Sequence, residues 1–230
     1  MLVKTVCYNL DQRLAYPQYA EAIARVLEHF QADVIFLQEV MIWKEVEWLA
    51  TRLKMHCDRR AWTRGGYTVL SRQAPEEFFR CVVPSSDWGA GAAGARIGRV
   101  WYISQHLDDV AYKRDETQRL REQIYILGKL PKGAAVLAGD FNSPSHLDGH
   151  AKILPSTLME QADWCDVQAH RKWTRGTWMK SRSQLPDRID RIYTKYVQCK
   201  AGGIVDHHDM GLARWPTGVD HRLLWQQFKV

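Results

Sequence analysis

Polar and ionisable side chains recur where apolar segments of this chain end. Asn9 closes the first apolar run, Gln38 and Glu39 close the second, and His106 closes a later one. Asp140 and Asn142 follow the apolar stretch 134–138. Asp190 lies within Arg188-Ile189-Asp190-Arg191-Ile192-Tyr193, and Asp220 with His221 precedes the last apolar segment. Carboxylates, carboxamides and imidazoles are the groups that move protons and that ligate hard cations through oxygen. Taken singly, each has a local reading: Asn9 or Asp140 could cap a turn, Glu39 could cap the following helix, and a lone histidine often serves structure. Their shared place at strand ends is the informative feature, because strand ends of an α/β sheet converge on one rim, where ligands bind.

The elements that must bring them there are legible in outline. Strands are expected over 2–9, 33–40, 67–71, 78–83, 100–106, 134–138, 188–194 and 223–230. Tyr19, Ile23, Val26, Leu27 and Phe30 recur at helical spacing after Pro17, a residue suited to a first helical turn. A second amphipathic helix is expected from Ile42, Val46, Leu49, Ala50 and Leu53. A third covers 114–127 with Leu120, Ile124 and Leu127 on one face. The small-residue run 89–95 reads as a flexible connection. Early β-α-β alternation followed by consecutive short strands indicates an α/β protein with a mixed sheet, and no linker divides residues 1–230, so one domain is expected.

At 230 residues, with 46% hydrophobic and 25% charged side chains, the chain is long enough to bury a core without disulfides or a structural metal. No apolar run approaches the ~20 residues of a membrane span, and no basic-plus-apolar leader precedes Leu2. Cys7, Cys57, Cys81, Cys165 and Cys199 are odd in number and widely spread, and no Cys-x-x-Cys pair occurs. That argues against a disulfide framework and a zinc ribbon, and for an intracellular, reducing compartment. Cys7 reads as a small hydrophobe within a strand.

The net charge of +6 is concentrated. From His170 to Arg191 stand seven basic residues (Arg171, Lys172, Arg175, Lys180, Arg182, Arg188 and Arg191) against Asp187 and Asp190. Such a run is either a solvated loop or a surface that faces a polyanion. Asp206-His207-His208-Asp209 reads as a solvated loop, because four adjacent side chains cannot all face one ion. Asp108 and Asp109 fall in the connection before the third helix. His146 and His150 flank the Asp140 motif, within reach of a ligand there.

The ordered series Tyr8-Asn9, Leu37-Gln38-Glu39-Val40, Ser71-Arg72, His106-Leu107, Gly139-Asp140-Phe141-Asn142, Arg188-Ile189-Asp190 and Asp220-His221 resembles the endonuclease/exonuclease/phosphatase superfamily. The likeness runs from the first strand to within nine residues of the C-terminus, in the family's order. It implies a deoxyribonuclease-like, four-layer α/β/β/α sandwich of two mixed sheets with a site at one edge. It also implies a Mg²⁺-dependent phosphoric ester hydrolase in which Mn²⁺ can substitute. Glu39 would be the direct metal ligand, with Asn9 beside it and Asp220 close by. Asp140 and Asn142 would orient and deprotonate the attacking water, and His221, held by Asp190, would face the phosphoryl oxygens. His106 would contact phosphate or the leaving group. The sequence departs from the family pattern at Val219, where serine is usual, and at Arg191, where an apolar or aromatic residue is usual. Tyr67 matches no family tyrosine and carries no role.

The substrate is read from the basic segment next to Asp190. Trp173 and Trp178 are interleaved with its Arg and Lys residues, and Arg214-Trp215 stands shortly before Asp220-His221. Basic side chains neutralise backbone phosphates and indoles stack on bases, so Arg175, Trp178, Lys180 and Trp215 are the expected substrate contacts of a nuclease. The alternative is a phosphatase or phosphodiesterase for a small phosphorylated molecule or a phospholipid headgroup. No protein partner is indicated.

Overall fold

The computed structural model describes residues 1–84, 86, 89–109, 116–148, 154–169, 177, 188–205 and 220–230. In chain order the elements are β1 (Leu2–Asn9), α1 (Pro17–Phe30), β2 (Val34–Gln38), α2 (Trp43–Leu53), β3 (Thr68–Ser71), β4 (Glu77–Val82) and β5 (Gly91–Ile97). Then follow β6 (Val100–His106), α3 (Glu116–Leu127), β7 (Ala135–Asp140), α4 (Pro155–Gln161), β8 (Cys165–Asp166), β9 (Asp190–Lys195), β10 (Gln198–Val205) and β11 (Leu223–Lys229).

Two mixed sheets pack face to face. The first has the order β10-β11-β1-β2-β3 and the second β4-β5-β6-β7-β9-β8. Each holds one parallel pair, β1 with β2 and β6 with β7, among antiparallel neighbours. Cys7, Phe36 and Leu224 of the first sheet meet Tyr102, Val136 and Ile192 of the second in a core between them. Ile23 and Leu27 of α1 and Val46 and Leu49 of α2 cover the outer face of the first sheet. Ile126 of α3 and Met159 of α4 cover the outer face of the second. This is the four-layer α/β/β/α sandwich.

The period-two alternation of strands decides which residues share the inner face. In β1, Val3 and Cys7 point between the sheets, and the same parity carries Asn9. In β6, Val100 and Tyr102 carry Ser104 and His106 with them; in β7, Val136 and Ala138 carry Asp140; in β9, Ile192 carries Asp190. At one end of the sandwich the inner face therefore changes from apolar to polar.

The structure differs from the sequence expectations at four points. The small-residue run is β5, a strand between β4 and β6, not a flexible connection. A Cβ on Gly94 would overlap the Tyr102 carbonyl oxygen and one on Gly91 the Cys81 carbonyl oxygen. Small residues stand there because neighbouring backbones approach closely. Secondly, α3 buries Arg119, Glu122, Gln123 and Ile126, while Ile124 is 58% exposed. Its inward face is polar because it contacts polar groups behind the site: Gln105 exchanges amide hydrogen bonds with Gln123, and Glu122 Oε2 accepts from Asp108 N (3.0 Å). Thirdly, β8, β10 and α4 carry no sequence signal that marks them. β2 is also shorter than expected, because Glu39 leaves the strand at φ 57.

None of the five cysteines is joined in a disulfide, and Cys7 is buried as expected. No helix among the described residues is long and apolar enough to cross a membrane.

Candidate active site

Asn9 ends β1 fully buried and acts as a bridge between the sheets. Its Nδ2 donates to Glu39 Oε1 (2.9 Å) and to Asp140 Oδ2 (2.8 Å), while its Oδ1 accepts from Asp11 N (2.9 Å). Glu39 follows β2 in a left-handed conformation that non-glycine residues rarely adopt, and such strain collects at functional positions. Val40 N donates to Gly66 O (2.8 Å), which pins the chain just past Glu39. Gln38, one residue earlier, donates from Nε2 to Ser104 Oγ (2.8 Å), and Ser104 Oγ donates to Leu37 O (2.8 Å). That cross-sheet bond fixes the spacing of β2 and β6 directly beneath Glu39 and His106.

The second sheet supplies the rest. Asp140 and Asp190 are paired across β7 and β9, as His106 and Asp140 are across β6 and β7. One residue before Asp140, a Cβ on Gly139 would overlap the Gln105 carbonyl oxygen, so only glycine lets β7 pass β6 this closely. Beyond the strand, Asn142 adopts φ 46; its N–H donates to Asp140 Oδ1 (2.7 Å) and its Nδ2 to Leu107 O (2.8 Å), with His106 Nε2 3.4 Å away. His221 Nδ1 bonds Asp190 Oδ2 at 2.8 Å, leaving Nε2 3.8 Å from both Asp140 Oδ2 and Asp220 Oδ1. His106 Nε2 lies 3.6 Å from Glu39 Oε1.

Burial and charge set the ionisation of this cluster. Burial alone would raise the Glu39 carboxyl, but the His106 hydrogen bond and charge, with Asn9 and His221, outweigh it and hold the group at about 2. Burial opposes the His221 imidazolium; the Asp190 carboxylate, aided by Asp140 and Asp220, outweighs this and pushes it up to about 10. Burial and the neighbouring Asp190 raise Asp140 to about 6, against the lowering effect of the two histidines. Burial likewise opposes the His106 cation, and its hydrogen bond to Glu39 overcomes that and raises it. The site thus couples a firmly ionised Glu39, a histidine that favours its cation, and a carboxyl poised near neutrality.

Glu39, His106 and Asp140 form one group whose ligand atoms all lie within 4.8 Å of one another, and Asp140, Asp190 and His221 form another. The side chains of Glu39 and Asp220 remain 23% and 17% exposed, whereas Asn9 and Asp140 are sealed behind them. Each group offers two carboxylates and one imidazole and no thiolate, a donor set able to hold a divalent cation. The group of Glu39, His106 and Asp140, with Glu39 reaching the surface, could hold a divalent ion.

Eight expected site residues, Asn9, Glu39, His106, Asp140, Asn142, Asp190, Asp220 and His221, meet at this rim. Arg175, Trp178, Lys180 and Trp215 lie outside the described residues, as do His150, Val219 and the run 206–209. Tyr67 is buried, donating to the Gly89 carbonyl (3.1 Å), and takes no part. His146 turns to Ser156 and Glu160 (2.9 and 2.8 Å).

Two neighbours escaped sequence reasoning. Asp11 stands beside the rim, paired with Arg13 (2.9 Å), its carboxyl raised by burial and by the nearby Asp220. Thr177 Oγ1 accepts from Asp190 N (2.9 Å) and Thr177 O from Arg222 N (2.8 Å), which places Thr177 against the strand end of Asp190 and the residue after His221. Position two after Asn9 was a faint signal for the first, and nothing local marks the second.

The Endonuclease/Exonuclease/phosphatase family matches residues 6–216 of the chain. No curated protein matches it. Among solved structures it is similar to a D. rerio TDP2 humanized by 14 mutations, at 20% identity and TM-score 0.76, covering 100% of this chain and 99% of that one. It is similar to the 3′ phosphatase NExo from Neisseria bound to product DNA hairpin (18%, TM-score 0.71, 99% of this chain, 100% of that one). An AP endonuclease from Archaeoglobus fulgidus is comparable (17%, TM-score 0.72, 99% and 100%). At these identities the likeness is one of fold.

Proposed function

The chain belongs to the Endonuclease/Exonuclease/phosphatase family, a family of phosphoesterases, and on that footing we propose that it is a nuclease hydrolysing phosphodiester bonds in nucleic acid with Mg²⁺, or Mn²⁺ in its place. The observation that carries the reading is the convergence of an ionised Glu39, an Asp140 raised to about 6 and the hydrogen-bonded Asp190–His221 pair, with Asp140 oxygen atoms within 4.8 Å of ligand atoms of each. When bound, the cation would neutralise phosphate charge and polarise the phosphoryl oxygen.

Glu39 and Asp220 hold the cation in this reading, and Asn9 orients Glu39 through Nδ2. Asp140 accepts the proton of the attacking water; a base titrating near 6 is half matched to neutral pH. Asn142, braced on Leu107 O, positions that water. His221 presents its Nε2 proton to the phosphoryl oxygens, and Asp190 keeps it protonated and oriented. His106 faces the phosphate or leaving group beside Glu39. The basic, tryptophan-bearing segment with Arg175, Trp178 and Lys180, together with Trp215, favours a polynucleotide. The NExo neighbour, a 3′ phosphatase on DNA, favours a second reading, removal of a phosphate from a small or terminal phosphoester.

The deciding experiment offers plasmid DNA, abasic oligonucleotides and an inositol-phosphate panel to the metal-stripped protein, with and without Mg²⁺ or Mn²⁺. Cleavage of polynucleotide only with the cation is expected. Full activity after EDTA treatment removes the metal from the mechanism, and turnover of small phosphoesters alone selects the second reading.

A further inference from the structure

Arg191, where the family pattern places an apolar or aromatic residue, has no part in the chemistry above. In β9, Asp190 and Ile192 face the opposite sheet, so Arg191 and Tyr193 face α3 and α4. Arg191 is fully buried there. Its Nη2 donates to Ser143 O (2.9 Å), and its guanidinium lies 4.4 Å from the centre of the Phe141 ring. Phe141 and Ser143 are the two neighbours of Asn142. One side chain thus grips both flanks of the left-handed turn that follows Asp140. The grip extends to α3: Ser143 Oγ donates to Glu116 Oε2 (2.7 Å), and Glu116 Oε1 lies 3.6 Å from Arg119 Nη2.

Packing alone does not favour an arginine at this point. Among the described residues its buried Nε and Nη1 find no hydrogen-bond partner, and a buried cation with unused donors costs stability that an apolar side chain of similar length does not. We propose that Arg191 is a positioning residue for hydrolysis, clamping Phe141 and Ser143 from behind the sheet and so setting the turn that aims Asp140 and Asn142. It touches neither substrate nor cation; it acts through the φ 46 conformation of Asn142, whose N–H is bonded to Asp140 Oδ1. This rests on the phosphoester hydrolysis proposed above.

The test compares full-length wild type with Arg191→Met and Arg191→Lys on whichever phosphodiester the wild type cleaves with Mg²⁺. Arg191→Met is expected to lower kcat about 10- to 100-fold, the scale of a small misplacement of reacting groups. KM and the Mg²⁺ concentration for half activity stay unchanged, and the melting temperature is unchanged or higher. Arg191→Lys, which keeps the charge but cannot hold ring and carbonyl together, recovers part of kcat and remains informative if the methionine variant does not fold. Independently, the Asn142 backbone amide resonance shifts and its hydrogen exchange accelerates. Unchanged kcat with an unchanged Asn142 amide overturns the proposal. So does a fall in kcat matched by a collapse of melting temperature in both variants, since that is a packing role. If the wild type hydrolyses no phosphoester at all, the functional reading has failed, and the amide measurements alone decide whether the clamp exists.

Discussion

Replacing Asp140 with Asn, or His221 with Ala, removes a proton-transfer group and is expected to cut turnover by about 10²–10⁴. Both side chains project from strand ends into the rim, so circular dichroism and melting should remain near wild type. Normal turnover per folded molecule alongside a collapsed melting transition would make these residues structural. The pH profile follows from the same two groups. Asp140 must be deprotonated, so kcat/KM should fall below about 6; His221 must be protonated, so it should fall above about 10. The two limbs belong to the coupled cluster, and Asp190→Asn should move the alkaline limb downward by removing the charge that supports the imidazolium. A profile flat from pH 5 to pH 10 contradicts both assignments.

Among the elements, β5 and α3 show how local composition misleads. The glycines of β5 promise flexibility when read along the chain, but across the sheet they are the residues that fit between two backbones. Gly94→Ala should destabilise by about 1–3 kcal/mol, the scale of overpacking a close contact. Gly128→Ala, whose added Cβ would meet only ordinary contacts past α3, should change little; equal melting temperatures for the two variants would refute the close-approach account. In α3, burial lifts the Glu122 carboxyl to about 7, reinforced by the nearby Asp108. The folded protein therefore binds more protons than the unfolded chain between the ordinary carboxylate range and neutrality. Stability should fall as pH rises through that window and level off above it. Glu122→Gln should flatten the slope between pH 4.5 and 7, as denaturant titrations at several pH values would reveal.

On the scale of the whole molecule, the site exists only where two sheets meet. Asn9, Glu39 and the segment leading into β11 come from one sheet, and His106, Asp140 and Asp190 from the other. Ser104→Ala would leave Gln38 Nε2 without its cross-sheet partner and should cost about 1–3 kcal/mol. A divalent cation held at this edge would bind the folded chain and not the unfolded one. At about one hundred times its Kd it should add roughly 2.7 kcal/mol of stability. A melting temperature indifferent to saturating Mg²⁺ and Mn²⁺ speaks against a cation site at this rim. Binding of polynucleotide to an Asp140→Asn variant should weaken steeply with salt, by a log–log slope of about −0.9 per neutralised phosphate on duplex DNA. Arg175→Ala combined with Lys180→Ala should flatten it by about one to two units, and an unchanged slope removes the basic segment from the interface.

How much of this was legible beforehand follows from the range of the forces involved. Alternation of apolar residues and helical spacing are local, so β1, α1, α2, β6 and β11 could be read directly, and the polar residues that end the strands stood out against their apolar runs. The order of those residues along the chain carried the family likeness and with it the sandwich. The spacing of the two sheets was not legible, because it is set by Phe36, Tyr102 and Val136 meeting in space and by cross-sheet bonds, Gln38–Ser104 and Asn9–Asp140, between residues far apart in sequence. Nor was the inward polar face of α3, which reflects the carboxylates and amides opposite it and not its own periodicity. Arg191 shows the division most plainly. From the sequence it was a departure from pattern; its packing against Phe141 and Ser143 was decided only when β9 paired with β7, since long-range pairing alone determines which turn a strand residue lies beneath.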